Sequence, residues 1–511
     1  MAKKPSPDLF FLIKSLSRNE KGYFKKYVSR HTLKGENNYV RLFDAIDKQK
    51  KYDEEKILRK ERYIRQLPLL KNYLYQMILE SLENFYSKSR VNIRLYNMIT
   101  RIQILHNKAL YDQCHKLVRQ VKKMAYRFDE FSVLLEALKW EKNLLGSELT
   151  FRKLDDIIRE ERMVQNHQQQ VNQLQNASLK LYGYYKQYGI LGKDAGSKKL
   201  KPLMDEVPTD ENQLQTFTAK LYYLQIQGFY HYIMGDWAQS FEFTQQLVQH
   251  CEENPGYVRE NPSQYILAIN HVLAVSSRLN RKDDFFMYLN KLRAITEVIP
   301  DTDTRINKGR IFAGSHNVEL KWYIMRGEFD KAAEIVHTFE EGIKEYSDLV
   351  NHSLVLVNMF NIAFIHFGAG QFEKALEWIR SALEEHKIEN SSPQLDFRYR
   401  LLKLMILFDS QQYSTLESEV KQAFRHAYTK TRTYRLELFI LDFIRRLAKT
   451  GGNKEQCKEA CQYFLKEMPT VKDDSYEKAL FEGFDFISWV NSHLEDRPYA
   501  ITIRERAALA D

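Results

Sequence analysis

Apolar residues recur along most of this chain at the spacing of an amphipathic α-helix. The clearest case lies in the segment 372–384, where one helical face is formed by Phe372, Ala375, Leu376, Ile379, Ala382 and Leu383. Just before it, Gly368 and Gly370 suit the end of a preceding helix, because glycine accepts the left-handed backbone conformation at little steric cost. The pattern therefore predicts two antiparallel helices joined by a tight turn.

This segment resembles the tetratricopeptide repeat. The repeat combines a small residue in its first helix, a turn glycine, an aromatic two residues later, an alanine five after the glycine and a closing Ala-Leu pair, here Ala363, Gly370, Phe372, Ala375 and Ala382-Leu383. The pattern returns at Gly228, Gly235, Trp237 and Ser240, and again at Gly327, Phe329 and Ala332. The resemblance implies an all-α, right-handed superhelical solenoid of helical hairpins, whose first helices line a concave face.

Further hairpin turns can be placed by the same signature and by spacing, at positions 109, 146, 189, 235, 281, 327, 370, 411 and 452. The intervals exceed the ~34 residues of a standard tetratricopeptide unit, which predicts longer helices. The resemblance fades between Gly146 and Pro208. There the polar segment VQNHQQQVNQLQNA is either a solvated helix or a flexible connection, and GILGKDAGSKKLKP indicates a hinge.

The pattern divides the chain into four parts. Residues 1–88 form a basic helical N-terminal domain, 89–210 divergent hairpins with the hinge, 211–495 the tetratricopeptide-like solenoid, and 496–511 a C-terminal tail. In the first part Ser17 and Glu20 predict a capping box, Asp53 a helix cap and Pro68 the first turn of a long helix. The stretch from Leu12 to Leu82 resembles the start of uncharacterised bacterial proteins with similar repeats, which implies no activity.

Composition agrees with a helical protein and suggests its surroundings. Of 511 residues 44% are hydrophobic, and 19 glycines and 11 prolines are too few for β-rich turn chemistry. Four cysteines give no disulfide framework, so a reducing cytoplasm is the expected compartment. The most apolar window, 353–367, is interrupted by polar residues and predicts a buried helix and no membrane span.

Motifs of catalysis are absent from the sequence. It contains no GxxxxGK[ST], no GxGxxG after a strand and no HExxH. Cys457 and Cys461 stand four apart on a predicted helix, but no further ligand pair completes a zinc site, so we interpret them as packing thiols. Cys114 and His115 are adjacent, and adjacent helical residues point about 100° apart. The sequence therefore predicts a non-enzymatic protein without cofactor or metal.

A protein–protein interaction scaffold is the expected function, with a partner peptide or helix received in the concave groove. Aromatic and cationic residues of the first helices are the candidate contacts, although such residues are more often interhelical packing. They are Tyr222, Phe229, Tyr232, Lys321, Phe360, Phe364 and Phe367.

The alternative is a nucleic-acid-binding or RNA-associated regulator. Residues 1–127 hold 29 Lys and Arg against 12 Asp and Glu, in a chain of net charge +10. A short helix, a connector ending at Pro68 and a longer helix imitate a helix-turn-helix, with an outer face formed by Lys71, Asn72, Tyr75 and Gln76. A third interpretation makes this basic body only a polar cap on the end of the solenoid.

Overall fold

The computed structural model describes residues 6–30, 38–49, 51–60, 66–87, 90–146, 150–208, 210–298, 304–346, 352–385, 393–429, 435–472 and 485–509. Every regular element in these ranges is a helix, which confirms the predicted all-α class. From residue 91 onward, each helix packs against the next one in the chain.

The N-terminal part forms five helices: α1 (Asp8–Ser15), α2 (Arg18–Arg30), α3 (Asn38–Asp47), α4 (Glu54–Lys60) and α5 (Leu67–Tyr86). Helix α5 packs against α1, α2 and α3 around one hydrophobic cluster. Both hydrogen bonds of the predicted capping box form, since the Ser17 amide donates to the Glu20 carboxylate at 2.6 Å and the Glu20 amide donates to Ser17 Oγ at 3.2 Å. Asp53 caps α4 through the Lys56 amide at 2.9 Å, as predicted.

The next helices are α6 (Val91–Asn107), α7 (Tyr111–Arg127), α8 (Phe131–Asn143), α9 (Phe151–Tyr188) and α10 (Lys193–Met204). Helix α9 has 38 residues and a length of about 57 Å at 1.5 Å per residue. The polar segment 164–177 lies inside it, so of the two predicted alternatives the solvated helix is the observed one. Buried residues at helical spacing, including Val164, Leu174 and Leu181, hold this helix against its neighbours.

Long-range hydrogen bonds connect the helices α6 to α8 with residues that lie later in the chain. The Val91 amide at the start of α6 donates to the Glu260 carboxylate at 2.9 Å, and the Thr218 amide donates to the Asp129 carboxylate at 2.8 Å. Both carboxylates accept from free amides of a first helical turn, where negative charge is favourable. Helix α9 therefore joins two packed groups of helices, and its buried residues contribute to both hydrophobic clusters.

The remaining helices follow in pairs after a 3-10 turn at Glu211–Gln213. They are α11 (Phe217–Met234), α12 (Trp237–Glu252), the short α13 (Pro255–Glu260), α14 (Pro262–Arg278), α15 (Lys282–Val298), α16 (Thr304–Met325), α17 (Phe329–Tyr346), α18 (His352–Gly368), α19 (Phe372–Arg380, continued by a π-helical turn Ser381–Glu385), α20 (Pro393–Asp409), α21 (Tyr413–Thr429), α22 (Arg435–Lys449), α23 (Lys454–Lys472), α24 (Phe486–Glu495) and α25 (Tyr499–Leu509). The first helices of successive pairs also contact one another, from α11 and α14 through to α20 and α22.

The predicted hairpin turns agree with the backbone. Eight of the nine positions have a positive φ, namely Ala109, Gly146, Gly189, Gly235, Gly327, Gly370, Gln411 and Gly452. The ninth prediction is displaced by one residue, because Asn280 and not Arg281 adopts the left-handed conformation. At Gly235 the amides of Gly235 and Asp236 donate back to Tyr232 O and His231 O, at 3.1 and 2.9 Å, and satisfy the last carbonyls of α11.

The C-terminal segment differs from its prediction. Residues 496–511 were expected to be a tail, but Tyr499–Leu509 forms helix α25, which packs back on the turn between α16 and α17. Arg504 Nε donates to Gly327 O at 3.0 Å, and the Tyr499 ring lies 6.0 Å from Phe364 and 5.5 Å from Phe367. The preceding α24 packs on α20, where Trp489 Nε1 donates to Asp409 at 3.0 Å. Helices α24 and α25 thus pack against α17, α18 and α20 and the turn before α17.

This cover explains why α18 is mostly apolar on all sides. A helix with one buried face shows one apolar stripe, whereas a helix surrounded by protein is apolar all round. Residues 358–367 of α18 are all buried, and their surroundings are the neighbouring helices and α25. The side-chain NH2 of Asn358 donates to Ala313 O at 3.1 Å and Leu354 O at 3.0 Å, while its Oδ1 is buried without a partner among the described residues.

Candidate binding site

A cavity of about 160 Å³ lies among α9, α11, α12 and α14 and is partly open to solvent. Three rings of its wall, Tyr185 of α9 and Phe229 and Tyr232 of α11, come from the first helices of neighbouring pairs. The complete wall consists of Tyr185, Gly228, Phe229, Tyr232, Ser240, Thr244, His271, Ala274 and Val275. We call this space the aromatic cavity.

Close packing of α11 on α12 forms the floor of the aromatic cavity. A Cβ at Gly228 would lie 2.9 Å from Thr244 Cγ2, so only glycine permits this approach. Ser240 Oγ donates to Gly228 O at 2.8 Å, which satisfies a carbonyl beside the cavity. The repeat pattern has a small residue at this position, Gly228, because α11 and α12 pack closely here.

The rings of the aromatic cavity contact one another in edge-to-face and stacked pairs. The centroid of Tyr185 lies 5.3 Å from that of Phe229 and 5.9 Å from that of Tyr232, both at steep angles. Phe229 and the His271 imidazole are nearly parallel, with centroids 5.8 Å apart. Such pairs contribute about 0.5–1.5 kcal/mol each beyond the area they bury, so the wall is held without a ligand.

His271 gives the aromatic cavity a neutral polar group. Burial lowers the pKa of His271 to about 4, so its imidazole is uncharged at neutral pH. Its Nδ1 is shielded from solvent and has no hydrogen-bond partner among the described residues. A buried nitrogen without a partner costs on the order of 1–3 kcal/mol.

Three of the four helices around the aromatic cavity carry no carboxylate near it, whereas α12 contains Glu242 and Glu252. Asp and Glu make up 67 of the 511 residues, yet neither occurs in residues 162–188 of α9, in α11 or in α14. Two exposed cations flank the cavity: Lys186 Nζ lies 5.2 Å from the Tyr182 centroid, and Arg278 Cζ lies 5.5 Å from the centroid of Trp237. Trp237 in turn contacts Tyr232 at 5.2 Å. These two cations therefore favour negative charge on the part of a ligand that lies beside them.

The candidate contacts predicted from the sequence divide into three groups. Phe229 and Tyr232 line the aromatic cavity. Tyr222 is half-buried against the same hydrophobic cluster and does not line the cavity, and Lys321 is exposed on α16. The cavity thus brings together two of the seven predicted residues.

The other three predictions were wrong as surface contacts. Phe360, Phe364 and Phe367 are 3, 1 and 3% exposed, because neighbouring helices and α25 enclose them. Phe360 packs edge-on against Tyr399 at 5.3 Å, and Phe364 and Phe367 pack against Tyr499. These side chains belong to the protein core.

Two ring-bearing residues of the cavity wall, Tyr185 and His271, were not predicted as contacts. Tyr185 belongs to the aromatic run LYGYYKQY near the end of α9, which is a visible signal in the sequence. His271 is a lone histidine among apolar residues of α14, and nothing in the sequence separates it from an ordinary core histidine. Both reach the cavity through the packing of α9 and α14 on α11.

The predicted nucleic-acid contacts on α5 have unequal surroundings. Lys71 donates to Tyr52 Oη at 2.7 Å and Ser6 O at 3.0 Å, and Tyr75 packs partly buried against the cluster of α1 to α5. Asn72 and Gln76 are exposed, but their helical face continues to the exposed Glu80 and Glu83. Within the described residues this face of α5 is therefore not basic, which weighs against it as a phosphate contact. Binding through residues 1–127 stays a prediction.

The cysteines are packed in the interior. Cys114, Cys251, Cys457 and Cys461 are buried and unpaired. Burial raises the pKa of the Cys251 and Cys461 thiols to about 12, which makes them unreactive at neutral pH. No group of three or more metal-ligating side chains occurs in the described part of the chain.

Comparison with known proteins gives no relative. No protein-family model, curated protein or solved structure is detectably similar to this chain. The likeness to the tetratricopeptide repeat accordingly rests on the residues and turns described above. No helix in the described ranges has the length and apolar content needed to cross a membrane.

Proposed function

We propose that this protein is a non-catalytic interaction scaffold, in which a tetratricopeptide-like solenoid binds a peptide or helix of a partner protein in the cytoplasm. The first helices of the pairs form the concave side of the solenoid, and the partner lies across α9, α11 and α14. The observation that carries the proposal is the partly open aromatic cavity between these helices, of which α11 and α14 contain no Asp or Glu.

The chain's own C-terminus supports this proposal, because it binds the corresponding positions of later helices. Phe229 and Tyr232 stand six and three residues before the turn glycine Gly235, and Phe364 and Phe367 stand at the same distances before Gly370. In α18 this pair is covered by Tyr499 of α25. In α20, Phe408 stands three residues before the turn at Gln411 and packs against Trp489 of α24 at 5.9 Å. The corresponding positions of α11 contact the Tyr185 ring of α9, and they stay partly exposed beside the aromatic cavity.

Affinity purification of the tagged full-length protein from its own cells, with and without nuclease, tests the proposal. Tyr182 beside the cavity and Tyr428 on α21 are matched exposed tyrosines, 50 and 66% accessible. We expect a set of proteins that survives nuclease, is lost with Tyr182→Ala and is retained with Tyr428→Ala. An identical set from all three proteins would contradict binding at this surface.

A further inference from the structure

We propose that the partner segment carries an aromatic side chain, which fills the aromatic cavity, with acidic residues on either side of it. This inference rests on the proposed function and specifies the chemistry of the partner. It follows from the size of the cavity, from the charge around it and from the way in which the chain covers its own later helices.

The volume sets the size of the anchoring group. An apolar cavity of about 150 Å³ accepts benzene, and the aromatic cavity has about 160 Å³. Phe229, Tyr232, Tyr185 and the His271 imidazole offer ring faces and edges to a further ring. A single phenyl or phenol group matches this space, and a phenol can also form a hydrogen bond with a neutral imidazole.

Helices α24 and α25 indicate the same kind of anchor. They reach the corresponding positions of α18 and α20 with aromatic side chains, Tyr499 and Trp489, which are 8 and 0% exposed. Tyr499 is placed among Phe329, Phe364 and Phe367, with centroid distances of 5.5–6.1 Å. An aromatic residue of a partner would add a further ring beside Phe229 and Tyr232, next to the Tyr185 ring that already contacts both.

The charge of the surface determines the flanking residues. Lys186 and Arg278 are exposed, and their described contacts are with the rings of Tyr182 and Trp237. Neither cation forms an ion pair within the described residues, so both are available to carboxylates of a ligand. Two cations beside one ring-sized cavity suit a short acidic peptide better than a nucleic acid, which needs a row of cations along its phosphates and a base platform for each nucleotide.

Selection from a random 12-residue peptide library, displayed on phage, against the full-length protein tests this inference. Selection against Tyr182→Ala runs in parallel, and peptides enriched only by the wild-type chain are taken forward. We expect these to share one Phe, Tyr or Trp with Asp or Glu within four residues of it. A labelled peptide of this type is then measured by fluorescence anisotropy against variants of the full-length chain.

The expected changes in affinity are specific. Tyr182→Ala should weaken binding about tenfold or more, since it removes an aromatic contact at the edge of the cavity. Lys186→Glu should weaken it about fivefold, and more at low salt, whereas Lys123→Glu, the same charge reversal on the exposed face of α7, should leave it unchanged.

The outcomes separate this inference from the proposed function. Enriched peptides that depend on Tyr182 but lack an aromatic residue or carry basic flanks overturn the inference and leave the scaffold in place. No Tyr182-dependent peptide, together with Tyr182-dependent binding of a 12-nucleotide oligouridine, overturns both in favour of nucleic acid. No Tyr182-dependent binding of either probe overturns both outright.

Discussion

Removing the Tyr499 side chain should release α25 from the rest of the protein. Tyr499 is buried, its ring contacts Phe329, Phe364 and Phe367, and its hydroxyl donates to Asp485 O at 3.1 Å. Replacing a buried large aromatic residue by alanine costs about 3–5 kcal/mol. Because α25 has 11 residues, an isolated helix of this length is marginal in water and a loss of this size should undock it.

The assay combines urea unfolding with binding of an apolar dye. We expect Tyr499→Ala to lower the unfolding midpoint and to raise dye fluorescence in native buffer, because Phe364 and Phe367 become accessible. Tyr499→Phe keeps the ring and loses one hydrogen bond, so it should cost only about 1 kcal/mol and bind no more dye than wild type.

Tyr428→Ala on the exposed face of α21 is the control and should stay within about 0.5 kcal/mol of wild type. If Tyr499→Ala unfolded at the wild-type urea concentration and bound no additional dye, α25 would not cover α18. Tyr499 would then no longer serve as a guide to the aromatic residue proposed for the partner.

Three further predictions concern stability. His271 has a folded-state pKa near 4, below its ordinary value of 6.5, so its contribution to stability is complete above pH 6.5 and is lost as the pH falls toward 4. The free energy of unfolding in urea is therefore lower at pH 5 than at pH 7.5, and His271→Leu should reduce this difference by on the order of 2 kcal/mol. An unchanged difference would contradict burial of the imidazole. Gly228→Ala should lower stability by about 1–3 kcal/mol in thermal unfolding, because the added methyl clashes with Thr244. Adding Thr244→Ser, which removes the clashing methyl, should restore part of the loss. A Gly228→Ala variant as stable as wild type would refute the close packing. Lys71→Met should lower stability by about 1 kcal/mol, because it removes the hydrogen bond to Tyr52. It should leave any binding of duplex DNA, measured by fluorescence anisotropy, unchanged. Weaker DNA binding at unchanged stability would support Lys71 as a phosphate contact.

The hairpin turns were the most predictable part of the fold. Glycine at a helix end has a local physical reason, so Gly235, Gly327 and Gly370 could be placed from the sequence alone. Ala109 and Gln411 carry no such signal and were found by spacing. Spacing alone also placed a turn at Arg281, one residue too late. The left-handed residue is Asn280, because asparagine tolerates this conformation better than most residues.

Features set by distant contacts could not be predicted. The length of α9 was not predicted, because the polar segment inside it has only a few widely spaced apolar residues. These residues stabilise the helix only through their packing against the groups of helices on both sides. Phe360, Phe364 and Phe367 were placed on a binding surface because the residue that covers two of them, Tyr499, lies more than 130 positions later in the chain. Phe229 and Tyr232 share their positions before the turn and contact the Tyr185 ring of α9, but they stay partly exposed.

The most direct test of the binding surface is photo-cross-linking in cells with p-benzoylphenylalanine at position 182, next to the aromatic cavity. We expect cross-links to one or a few proteins, at a residue close to an aromatic and to acidic side chains in the partner sequence, and none of these from position 428 on α21. Equal cross-linking from both positions, or cross-links from 428 alone, would contradict the claim that α9, α11 and α14 form the surface on which a partner docks.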